Sequence, residues 1–195
     1  MKTMNPVQIN SEQAPFASRP IFSDLYPLDE FYTARGLTLP SIARIEAGEV
    51  PEPYHSLLAH RVDMTSTLEK FHRDKIHIDV LARHTHENEY FREVVLVLDG
   101  TGKVVEFGAL KVVLDCLPDA AQKEILKERH PLGRVLTDHG VVFSSRPRAY
   151  LRIASDEFIE EVLNLSGAQF LYGRRNTLVD AWDRPLAEIV EILPP

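Results

Sequence analysis

The chain has 195 residues, of which 44% are hydrophobic and 26% charged, enough to bury a core of ordinary size. Its net charge of −7 argues against a nucleic-acid partner, since such proteins present a basic face, but leaves room for a local positive pocket that takes a small anion. One cysteine, Cys116, excludes an internal disulfide and fits a reducing compartment. It reads as a small buried hydrophobe between Leu114 and Leu117. The N-terminus has no apolar signal region and no stretch has the length of a membrane span, so the expectation is a cytoplasmic protein without membrane insertion.

Residues 1–20 are polar and aperiodic and read as a loose arm, with a single domain expected over 21–195. Pro40 is placed to open a short helix through Ile42, Ala43 and Ile45, ended by Gly48. Residues 55–71 read as partly helical, with Asp63 or Thr65 capping a second helix through Leu68 and Phe71. Ile76–Leu81 alternates like a half-buried strand. Tyr90–Leu98 and Lys103–Leu114 are β-rich and flank Asp99-Gly100-Thr101-Gly102, which predicts an antiparallel hairpin. Pro118–Glu128 reads as an amphipathic helix, and Val135–Val142 as a lead into a strand near Ala149–Ile153. Ser155 or Asp156 caps a short helix to Leu163. A second hairpin follows, Phe170–Val179 and Leu186–Leu193. This order predicts an α+β protein with an antiparallel sheet.

The sequence holds no phosphate loop, nucleophile elbow or cysteine-pair zinc site. His84 and His86, with His72 and His77 upstream, lie in a polar segment without a third ligand at metal spacing. They read as exposed loop histidines, and no metal is expected. Charges embedded in apolar strands are more informative: Arg92 at the head of Val94–Leu98, Lys111 inside Ala109–Val113, and Glu191 inside Ile189–Leu193. Each is costly to bury unpaired. They face solvent, or Arg92 and Glu191 form a structural ion pair, or they line a pocket. In a pocket the arginine fork suits a carboxylate and the glutamate suits a hydroxyl of the same ligand.

Several stretches in order resemble chorismate pyruvate-lyases: Asp63-Met64-Thr65, Arg92-Glu93-Val94-Val95-Leu96, Pro131-Leu132-Gly133-Arg134, Tyr172-Gly173-Arg174-Arg175, and Arg184-Pro185-Leu186 through Glu191-Ile192-Leu193-Pro194. The likeness spans roughly residues 55–195, with the Glu106-Phe107-Gly108 stretch of the broader bacterial branch. It implies an antiparallel sheet with helices packed on one side and a ligand buried beneath helical flaps. It implies an enzyme that converts chorismate to 4-hydroxybenzoate and pyruvate without metal or organic cofactor, as a monomer or small homo-oligomer. By the same resemblance Arg92 holds the aromatic carboxylate, Glu191 holds the hydroxyl end, and Met64, Leu132 and Gly133 complete the site. Glu188 is a weaker rival to Glu191.

The chain departs from the family at Ala109, where some members carry a second arginine. Lys111, two residues on, stands as either its replacement toward the enolpyruvyl carboxylate or a solvent-facing lysine. Two alternatives remain beside the lyase. One is a non-catalytic aryl-acid-binding module, since the fold resembles ligand-sensing domains of transcription regulators. The other is a related lyase acting on another enolpyruvyl or hydroxyaryl acid.

Overall fold

The computed structural model describes residues 7–8 and 23–195. Among them are eight strands: β1 (Val7–Gln8), β2 (Ile42–Ile45), β3 (Ile76–His86), β4 (Glu89–Leu98), β5 (Val104–Val113), β6 (Ser144–Ala154), β7 (Phe170–Val179) and β8 (Pro185–Leu193). Six α-helices accompany them: α1 (Leu28–Arg35), α2 (Tyr54–Leu58), α3 (Met64–His72), α4 (Asp119–Ile125), α5 (Leu132–Asp138) and α6 (Glu157–Val162). The strands form one sheet in the order β1-β3-β4-β5-β8-β7-β6-β2. Every neighbouring pair is antiparallel except β1 with β3. The rest of the expected N-terminal arm lies outside the described residues.

Local chemistry explains the elements that position the site. The β-branched run of β4 turns at Gly102, whose φ of 68° is a conformation glycine adopts without strain, and Gly102 donates to the Leu98 carbonyl at 2.8 Å. Asp63 caps α3 by accepting from the Ser66 amide at 2.8 Å, and Asp156 caps α6 by accepting from the Ile159 amide at 2.8 Å. The second hairpin, β7 with β8, falls where the sequence placed it.

Four expectations change. Ile42–Ile45 is an edge strand paired with β6 rather than a helix, because its two isoleucines pack on the sheet margin. Residues 132–138 form α5 rather than the approach to a strand. Leu132, Val135 and Leu136 recur at helical spacing and are all buried. Strand β3 runs on through His84 and His86, so the histidine segment is not a loop. Cys116 is exposed, with Leu114 and Leu117 buried on either side.

Period-two alternation divides the sheet into two faces. Helices α2, α3, α4 and α5 pack on one face. There Leu58, Met64 and Leu68 meet Ile78, Val94 and Leu96, while Ile125, Leu132 and Leu136 meet Leu110, Leu178 and Ala187. Helices α1 and α6 cover the reverse face, where Phe31, Tyr32 and Ile159 meet Val95, Phe107 and Ile192. Strands β5 and β8 approach closely at Gly108, where an added Cβ would lie 2.2 Å from the Val190 carbonyl oxygen. Gly108→Ala therefore forces the two central strands apart. A loss of about 2 kcal/mol is expected, read as a lower denaturation midpoint without change of fold.

Candidate functional site

The even-numbered residues of β4 face α2–α5, which sends Arg92 into the interior at 1% exposure. Its Nη2 donates to the His130 carbonyl at 3.3 Å, while Nε and Nη1 are buried without a hydrogen-bond partner. Among the described residues no carboxylate is ion-paired with it. The nearest candidate, Glu128, is already engaged: it accepts from the Tyr90 hydroxyl at 2.5 Å and pairs with Arg83. Burial pushes the Arg92 guanidinium below its usual range, with Tyr90 and then Glu128 opposing that push. A buried cation without an ion-pair partner is costly, and two of its nitrogens remain available to an acceptor.

Farther along the same face, Glu191 of β8 is 4% exposed and pairs with Arg174 of β7, directly opposite it in the register. The Arg174 guanidinium also donates to the carbonyls of Leu58 at 2.9 Å and His60 at 3.1 Å. Glu106 of β5 is the diagonal neighbour of Glu191, since Gly108 is the residue directly opposite. It is 6% exposed and its Oε2 is buried without a partner. Burial first, and then the Glu191 charge, hold its carboxyl well above the usual carboxylate range, against the pull of Arg174.

Between these groups lies a cavity of about 50 Å³ with largely apolar walls, among them Ile78, Val94, Leu96, Leu110 and Ile189. Arg92 lies on one side of it, and Glu106 and Glu191 on another. Arg92 faces Leu110, which faces Ile189, two residues before Glu191. Two strand spacings and one two-residue step thus set the Cα atoms of Arg92 and Glu191 about 12 Å apart. The roof is formed by residues 62–65 and 131–133. The two roof segments are held together: an added Cβ at Gly133 would lie 1.8 Å from Asp63 Oδ1, and Arg134 of α5 donates to Glu69 of α3 at 2.9 Å. Met64 and Leu132 each open a helix, where the backbone N–H lacks an intrahelical acceptor.

Five residues expected from the sequence thus converge on one cavity: Arg92, Glu191, Met64, Leu132 and Gly133. The structural pairing of Arg92 with Glu191 does not occur, because Arg174 takes that place. Lys111 is corrected as well. It alternates with Glu106, Gly108 and Leu110, so it projects from the reverse face, where it donates to Glu89 at 2.8 Å. Glu188 also projects from the reverse face, 3.6 Å from Arg175. Sequence reading missed Glu106 and Arg174 as site residues. For Glu106 a signal was present, since it is a charge inside an apolar strand like the three singled out. His84 is half-buried, stacked on Phe91 and 3.2 Å from Glu30. No group of histidine, cysteine and carboxylate side chains that could hold a metal occurs among the described residues, and no helix among them is long and apolar enough to cross a membrane.

No protein-family model matches this chain, and no curated protein sequence does. Solved structures do. PhnF from Mycobacterium smegmatis superposes with a TM-score of 0.52 at 13% identity, over 88% of this chain and 94% of that one. The effector domain of PhnF gives 0.51 at 13% identity, over 67% and 87%. The possible transcriptional regulator YydK from Bacillus subtilis gives 0.52 at 11% identity, over 86% and 91%. At such identities the likeness is one of fold, and the fold is the α+β chorismate lyase-like one.

The two buried arginines should respond oppositely to the same substitution. Arg92→Met removes an uncompensated charge and is expected to raise stability by about 1–3 kcal/mol. Arg174→Met strands Glu191 beside Glu106 and is expected to cost about 3–5 kcal/mol. Chemical denaturation of both variants checks the contrast.

Proposed function

We propose that the cavity binds a small hydroxyaryl carboxylic acid, gripped at its carboxylate by Arg92 and at its hydroxyl by the Glu106–Glu191 end. The observation that carries this is the buried guanidinium with two nitrogens unpartnered. A planar fork with free donors matches two carboxylate oxygens, and the apolar walls suit a ring. The cavity of about 50 Å³ is far below the 300–1,000 Å³ usual for drug-sized ligands, so a ring acid enters only as the roof gives way. Between the anchored His60 and Asp63, Arg61 and Val62 are the natural place to yield: they belong to no regular helix or strand, and Val62 on the rim is 58% exposed. Binding without catalysis has support in the fold, which this chain shares with the effector domain of PhnF.

A second reading, conversion of chorismate to 4-hydroxybenzoate and pyruvate, is favoured by the order and spacing of the five sequence stretches. In that reaction the ether bond to the enolpyruvyl group breaks. The hydrogen of the hydroxyl-bearing ring carbon ends on the enolpyruvyl methylene, which becomes the methyl of pyruvate. Aromatisation drives the step, so the protein's task is to hold the reactive pose and to stabilise charge on the departing group. Lys111 takes no part, and the backbone N–H groups of Met64 and Leu132, at the openings of two roof helices, are the candidates to meet the enolpyruvyl carboxylate.

One measurement tests the cavity that both readings share, and a second separates them. Titration of 4-hydroxybenzoate into the full chain should give saturable binding that weakens 100-fold or more in Arg92→Met. Equal binding by that variant would refute the cavity assignment. Incubation with chorismate, followed by mass identification of products, should yield 4-hydroxybenzoate and pyruvate in equal amounts if the chain is a lyase. Binding without turnover leaves the non-catalytic reading.

A further inference from the structure

The aryl-acid reading leaves open why two buried carboxyl groups, and not one, stand at the hydroxyl end. Glu191 is already matched in charge by Arg174. Glu106 has no ion-pair partner among the described residues, and one of its oxygens is sealed from solvent without a hydrogen bond. A second ionised carboxylate in that place would face Glu191 and Asp63 with only Arg174 to offset them. A neutral carboxyl costs less and brings something a carboxylate lacks, an O–H donor.

We propose that Glu106 is a specificity-determining residue: its carboxylic acid donates a hydrogen bond to the ligand's hydroxyl oxygen while the Glu191 carboxylate accepts a hydrogen bond from that hydroxyl. The inference rests on the aryl-acid reading above. Geometry supports it, because the two side chains are diagonal neighbours on one sheet face, both line the same cavity, and both stand across the sheet from Arg92. Burial holds the Glu106 carboxyl above its usual range, which is the direction the role requires. The pair then reads a group that donates and accepts at once. A phenolic hydroxyl does both. An aromatic amine mainly donates, and a bare ring edge does neither, leaving both carboxyl groups unmatched in a dry site. The favoured ligands are therefore para-hydroxy acids over para-amino acids of the same shape and over unsubstituted benzoates.

The test is titration of 4-hydroxybenzoate, 4-aminobenzoate and benzoate into the full chain and into Glu106→Gln, Glu106→Leu and Arg92→Met. The wild-type chain should favour 4-hydroxybenzoate roughly tenfold or more over the other two. Glu106→Gln, which keeps an N–H donor, should retain that gap. Glu106→Leu should close it to about twofold while benzoate binding persists. An infrared band of a protonated carboxyl at pH 7 should be present in the wild-type chain and missing from Glu106→Gln. A gap that survives in Glu106→Leu would assign the donor to Arg174, whose Nη2 is also unpartnered, and would overturn the proposal. Closure of the gap in Glu106→Gln, or absence of the band, would overturn it too. Equal affinity for all three acids, lost in Arg92→Met, would remove this proposal and leave the aryl-acid reading standing. If none of the acids binds, both fall.

Discussion

A buried guanidinium without a counter-ion is the constraint around which this protein is arranged. Arg92 is almost wholly sealed from water, yet it spends one donor on the His130 carbonyl and leaves two nitrogens idle. Leaving a charge in that state is expensive, and evolution usually removes it or pairs it. Here the natural counter-ion is held off. Glu128 lies close enough to be felt, but Tyr90 and Arg83 occupy its oxygens. Arg174, of the same residue type on the same face, shows the ordinary solution, with Glu191 and two backbone carbonyls around it. The contrast is between a buried arginine whose charge is paired and one whose charge is not.

The sheet makes this contrast possible. Its two-residue period sends Glu106, Glu191, Arg92 and Arg174 to one face and gives the reverse face a separate set of pairs, Arg35 with Glu93 and His84 with Glu30. The pairs on the reverse face are satisfied beneath α1, and none contributes to the cavity. On the cavity face the two hydrophobic clusters beneath α2–α3 and α4–α5 meet above the charged groups rather than merging into one core. The cavity is the seam between them, and the Gly133–Asp63 contact with the Arg134–Glu69 pair closes its roof.

Much of this was legible in the sequence, and the failures have physical causes. Both hairpins were readable because β-branched runs flank turn residues whose conformation is strongly biased, as at Gly102. The caps at Asp63 and Asp156 were readable because a short side-chain acceptor before an apolar helix serves one purpose. Strand β2 was misjudged because an edge strand with one half-buried face has too few residues to show a period. Helix α5 was overlooked although Leu132, Val135 and Leu136 mark its buried face, since seven residues is short for a helical signal. Arg92 and Glu191 stood out as charges within apolar strands, and both line the cavity. Lys111 was singled out on the same ground and belongs to the other face, which only the strand register decides. Arg174 was hidden by the neighbouring Arg175, because two adjacent charges on a strand look alike until one is known to point inward.

The most direct test of the unpaired guanidinium is a crystal structure of the full chain with 4-hydroxybenzoate. The account predicts a ring seated between Leu110 and the roof segments, with its carboxylate oxygens about 2.7–2.9 Å from Arg92 nitrogens. A ring acid bound elsewhere, or an Arg92 side chain paired with Glu128 and turned away from the ligand, would contradict it.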